Sequence, residues 1–200
     1  MVKRSLMLLS MTIGLWLMGC APRWTVISQA TPNPFLGKKE FVVMPIDYTG
    51  LQIGEKSEEE YLSGKEDKAD AKGKDSNTRS NLEGDKAEMS QFFQEKLKNG
   101  VSGDGIKITS AAGEITGFVI KPHIGSMEPG FYAYVASRPS RTVMRLKIED
   151  KDGKLLDEIE IVSSSAATMT SPAAGNRYRS DAKTIGDIAA DYILSRVIGE

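Results

Sequence analysis

The chain has 200 residues, with 26 Lys and Arg against 27 Asp and Glu, a formal net charge of −1. That balance supplies no basic field for nucleic acid and none, over the whole protein, for an anionic membrane. One Cys and one His exclude an internal disulfide, a cysteine-based zinc site and most metal or acid–base constellations.

Residues 1–20 read MVKRSLMLLSMTIGLWLMGC. Lys3 and Arg4 give a positive start, and the stretch from Leu6 to Leu17 is apolar except for Ser10, Thr12 and Gly14. It is shorter than the ~20 helical residues a hydrocarbon core requires, and it has the make-up of a secretory signal. Leu17-Met18-Gly19-Cys20 resembles the bacterial lipobox. The resemblance implies that residues 1–19 are a signal peptide cleaved before Cys20. It also implies a diacylglyceryl group on the Cys20 thiol and an acyl chain on the new amino terminus. Ala21 stands where an Asp would retain a lipoprotein at the inner membrane, so the same resemblance implies an outer-membrane anchor facing the periplasm. Several acyl chains, at ~0.8 kcal/mol per buried methylene, hold a protein on a bilayer without a spanning helix.

Residues 20–37 contain three prolines, no acidic residue and no clear period, and read as a lipidated tether before a single domain of residues 38–200. Trp24 in that tether either meets the lipid interface or packs on the domain. Lys39–Tyr48 is the first strand, with Pro45 removing a ladder donor and ending or bulging it. Residues 55–83 are almost wholly polar, with Tyr61, Leu62 and Leu82 the large apolar exceptions, and are expected to form a mobile loop. The spacing of Met89, Phe92, Phe93, Lys96 and Leu97 predicts a helix over about 85–99, closed by Asn99-Gly100.

Strands are predicted at 106–109, 114–121, 131–138, 142–150 and 155–162, punctuated by Gly, Pro and Ser. A two-residue turn at Asp152-Gly153 sets the register of the last two. Met144 then faces Ile161, Leu146 faces Ile159, Lys147 faces Glu158 and Arg145 faces Glu160, with apolar pairs on one side and opposite charges on the other. Ile148 opposite Asp157 is the misfit, expected at a solvated end. A final helix over 181–197 carries Ile185, Ile188, Ala189, Tyr192, Ile193 and Val197 on one stripe.

No nucleophile elbow, phosphate-binding glycine loop or His-Glu zinc helix occurs, so no cofactor, metal or catalytic residue is assigned. His123 has no His or Cys to join it and reads as a loop or strand-end residue. Asp150-Lys151-Asp152-Gly153 echoes a calcium loop but lacks its remaining carboxylates. If Phe131, Ala133 and Val135 face the core, Tyr132 and Tyr134 line the opposite strand face as a contact surface. Arg138, Arg141, Arg177 and Arg179 read as loop or strand-end cations, of which Arg138 and Arg141 join the tyrosines as candidate partner-binding residues.

The order of strand, helix, antiparallel strands and closing helix resembles small α+β domains of periplasmic lipoproteins, including TolB amino-terminal-like and curli-secretion-type domains. The expected fold is α+β: an antiparallel or mixed sheet of about five or six strands with two helices on one face. The expected function is that of a non-enzymatic envelope lipoprotein, an accessory or binding module. Its partners are the membrane, through Cys20, and an envelope protein or polymer, not nucleic acid. A small-ligand or lipid carrier is the alternative, and an enzyme with a cryptic carboxylate site the third reading.

Overall fold

A computed structural model describes residues 23–70, 78–111 and 117–199; Cys20 and the signal segment lie outside them. Ten strands and three helices follow in the order β1 (Trp24–Gln29), β2 (Glu40–Val43), β3 (Gln52–Ile53), β4 (Lys56–Ser57), α1 (Glu58–Asp70), α2 (Thr78–Ser102), β5 (Lys107–Ser110), β6 (Phe118–Glu128), β7 (Phe131–Ala133), β8 (Ala136–Arg138), β9 (Arg141–Glu149), β10 (Leu155–Ser163) and α3 (Ala174–Ile198), among the described residues. The fold is α+β. The main sheet runs β1-β10-β9-β6-β2-β5, with β3 added beside β6 and β4 beside β3. It is mixed, because β2 runs parallel to both β5 and β6 while β1, β10, β9 and β6 are antiparallel neighbours.

The expectation of five or six strands and two helices is corrected: the short strand β3 is new, and three further places each have a local cause. The first is residues 24–37, expected as a tether. Trp24–Gln29 pairs with β10 as the edge strand, Trp24 meets Tyr192 edge-on at 5.5 Å, and Phe35 is fully buried against Phe41 and Phe118. The β-branched run Thr25-Val26-Ile27 is strand material that the flanking prolines obscure.

The second is the polar stretch 55–83, which forms most of α1 and the start of α2. Ser57 and Glu60 make a reciprocal capping box: the Ser57 hydroxyl accepts from the Glu60 N–H at 3.3 Å, and Glu60 accepts from the Ser57 N–H at 2.9 Å. Glu58, Glu59 and Glu60 load the positive end of α1, and Leu62 and Leu82 are buried. A few apolar anchors and good capping suffice because most of the other described side chains between residues 58 and 83 reach water. Residues 71–77 lie outside the description.

The third is 131–138, expected as one strand. It is a separate two-stranded hairpin, β7–β8, turning at Tyr134 and Val135.

Elsewhere the periodicities hold. Met89, Phe93 and Leu97 of α2 are buried, with Leu82 and Val101 extending the stripe at both ends. Ile185, Ile188, Ala189, Tyr192, Ile193 and Val197 of α3 are buried as the stripe requires. The helix nevertheless starts at Ala174, earlier than predicted, which places Arg177 and Arg179 in a helix, not a loop. α2 and α3 lie against each other over one side of the sheet. Gly186 makes this possible, since a Cβ there would stand 2.7 Å from the Phe93 carbonyl oxygen.

The β9–β10 register is as derived: Met144 opposite Ile161, Leu146 opposite Ile159, Lys147 opposite Glu158 and Arg145 opposite Glu160. The turn is different. Only Gly153 has positive φ there, so the loop is a three-residue connection closed by Asp150 N–H to the Lys154 carbonyl at 3.0 Å. A bulge between Leu155 and Asp157 restores the register.

Candidate functional site

Helices α2 and α3 cover one side of the sheet; among the described residues no helix lies on the other. Strand alternation sends Ile120, Ile124, Met144, Leu146, Ile148, Ile159 and Ile161 into the core. The intervening residues therefore line the free face, which curves into a trough of about 820 Å³. Met44, Pro45, Pro122 and Val143 give it apolar patches, and Lys121, His123, Arg145, Lys147, Glu149 and Glu160 give it charge.

Most of these charges are paired among the described residues. Lys121 Nζ lies 2.5 Å from Glu149, and Arg145 stands between Glu158 and Glu160 at 3.9 Å from each. Lys147 makes no ion pair among the described residues. Asp47, at the rim, accepts from the Thr49 hydroxyl at 2.7 Å and its N–H at 2.9 Å; these bonds hold its carboxyl below the ordinary range. His123 is not the expected loop residue. It sits within β6 opposite Arg145, and its Nε2 donates to the Thr49 carbonyl at 2.9 Å, leaving Nδ1 as the acceptor nitrogen. The trough thus presents mixed charge over apolar ground, with one cation and one imidazole nitrogen uncommitted to ion pairs. It can hold a polar or charged surface.

The residues singled out in the sequence are placed differently from expectation. Tyr132 is half-buried within β7, whereas Tyr134 lies in the hairpin turn at 94% exposure. They are not two tyrosines on one strand face, and Phe131 and Val135 do not point into the core. Arg138 closes β8 and lies 3.9 Å from Glu128; Arg141 opens β9 and is exposed. Arg179 is committed to Asp85 at 2.5 Å and Glu88 at 3.2 Å. Arg177 is buried, donating to the carbonyls of Pro129, Ser171 and Pro172 at 2.6–2.8 Å. Cys20 lies outside the described residues.

No family model matches the chain, and no curated protein matches it in sequence. Solved structures do match. One is a PelC dodecamer from Paraburkholderia phytofirmans, at 11% identity and a TM-score of 0.43, covering 84% of this chain and 97% of that one. Another is a Xanthomonas campestris protein of the DUF330 family model, at 10% identity and a TM-score of 0.46, covering 86% and 94%.

Two buried carboxylates escaped the sequence reading. Asp157, expected at a solvated end, is fully buried: it accepts from Tyr192 at 2.5 Å, Arg196 Nε at 2.8 Å and the Ala30 N–H at 2.9 Å. Asp181 is equally buried and accepts from the hydroxyls of Ser140, Thr142, Ser163 and Ser165 at 2.7–3.1 Å. Both lie on the helix side, away from the trough, and each is satisfied within its own cluster. Neither is placed for acid–base work on a ligand in the trough.

Proposed function

We propose that the chain is a non-enzymatic lipoprotein of the cell envelope, anchored in the outer membrane through Cys20, that works as an accessory binding module. Its partner, an envelope protein or polymer, docks on the open face of the sheet. The observation that carries this reading is the trough: α2 and α3 occupy one side of the sheet, while the other offers a concave surface with Lys147 uncommitted. Alternating charges over such a surface suit a partner recognised by complementary polar contacts.

The test is photocrosslinking in intact cells from an unnatural residue at Val143, with and without Lys147→Glu and Arg145→Glu. A discrete crosslinked product that the charge reversals remove supports the reading. Crosslinking that persists unchanged with both reversals, or that fails altogether, overturns it. A second reading rests on the volume, which falls in the range of small-molecule sites of roughly 300–1,000 Å³. The charged lining fits a polar ligand in place of a lipid. Native mass spectrometry of the purified protein, showing a retained small molecule lost on His123→Ala, would favour it.

A further inference from the structure

The three most exposed large apolar side chains among the described residues are Tyr134 at 94%, Val135 at 93% and Met169 at 70%. Strand directions bring them to one end of the sheet. β6 finishes at Glu128 opposite Arg141, where β9 begins, and the β7–β8 hairpin with Tyr134 and Val135 spans that connection. β10 finishes at the same end and leads into the loop that carries Met169.

β1 enters there too. Trp24 is opposite Ile161, which is opposite Met144, near the start of β9. Arg23 is fixed to Asp191 by an ion pair. Three residues back from Arg23 stands Cys20, within roughly 11 Å even at full extension of the chain. A lipid on Cys20 therefore holds this end of the sheet, and no other, close to the bilayer surface.

This end is also built stiff. The buried Arg177 binds the Pro129 carbonyl at the base of the hairpin and the Ser171 and Pro172 carbonyls beyond Met169, so one guanidinium fixes both protrusions. Gly130 has φ +59°, and a Cβ there would stand 2.3 Å from the Arg138 carbonyl oxygen; only glycine lets the hairpin close so tightly. Two exposed arginines stand behind the aromatic and apolar tip: Arg138 at the base of the hairpin, 3.9 Å from Glu128, and Arg141 at the start of β9. An aromatic and aliphatic tip bordered by cations is the composition that settles at a lipid headgroup boundary.

We infer that the β7–β8 hairpin and the Met169 loop form a second, non-covalent contact with the bilayer. Tyr134 and Val135 enter the interface, and Arg138 and Arg141 meet headgroup phosphates. The inference rests on acylation at Cys20. The domain then stands upright on the membrane with its trough opening sideways.

The full-length protein, purified from membranes, tests this in vesicles of phosphatidylethanolamine and phosphatidylglycerol. Cys20 is the sole natural cysteine and its thiol is occupied by lipid, so Tyr134→Cys provides one reactive thiol for a fluorophore. Asp152→Cys, in the turn at the opposite end of the sheet, is the control. Quenching by spin-labelled lipid should be several-fold stronger at position 134 than at 152. Equal quenching on a protein whose intact mass includes the acyl chains overturns the docking while leaving the anchor in place. Absence of acyl mass overturns anchor and docking together. A fluorophore at 134 shielded from aqueous iodide yet untouched by spin-labelled lipid shows that a second copy or another protein covers the tip, and overturns the proposal.

Discussion

Asp181 collects the hydroxyls of four residues drawn from the approach to β9, from β9, from β10 and from the loop beyond it. Among the described residues it makes no ion pair, and these hydroxyls are its partners. Asp181→Ala would leave buried hydroxyls without an acceptor, and a loss of about 2–4 kcal/mol in urea denaturation is expected. Asp181→Asn keeps the shape but turns one acceptor into a donor, and should cost less. The buried phenols supply a pH prediction. Burial pushes Tyr48, Tyr178 and Tyr192 above the ordinary phenol range, with the Asp157 carboxylate holding Tyr192 up further. In the unfolded chain these groups ionise near 10, so the folded state holds more protons above that pH. Stability should therefore be unaffected by them below pH 10 and fall as pH climbs beyond it. Absorbance at 295 nm should show these three phenols ionising together with unfolding, not before it. Such clusters are not legible in sequence, because most partners of Asp157 and Asp181, and the Pro129 carbonyl bound by Arg177, are brought close only by the completed fold.

The β9–β10 hairpin was the most legible element, because a period of two makes every one-residue slip bury a charge. Its turn was not legible: two loop types differ by one residue, and the Leu155/Asp157 bulge absorbs the difference without disturbing the facing pairs. Glu160→Lys should destabilise by roughly 0.5–1 kcal/mol, with partial recovery on adding Arg145→Glu, since both side chains are partly exposed. The measurement is a double-mutant cycle by thermal melting. α1 shows the opposite case. Its weak amphipathy hid it, while the Ser57–Glu60 box marked its start. Ser57→Ala should cost about 1 kcal/mol, seen as faster hydrogen exchange in the first turn of α1. The trough was only half legible: alternation revealed which side chains leave the core, but not that among the described residues no helix lies over them.

At the scale of the molecule, the segment before β2 is part of the fold. Phe35 lies against Phe41 and Phe118, and Gly37 donates to the Val197 carbonyl at 2.9 Å. Phe35→Ala should therefore cost about 3–5 kcal/mol by calorimetry, where a true tether residue would cost almost nothing. Three prolines among residues 21–37 suggested a linker, yet Ala30 and Arg196 meet at Asp157 and close the segment onto α3. That closure has a mechanical consequence. A pull on the amino terminus, directed along β1, runs perpendicular to its hydrogen bonds with β10 and loads them all at once in shear. The chain would not unzip bond by bond. At the far end of β1 the Asp157 cluster acts as a stop, so such a pull meets the strand in its most resistant direction.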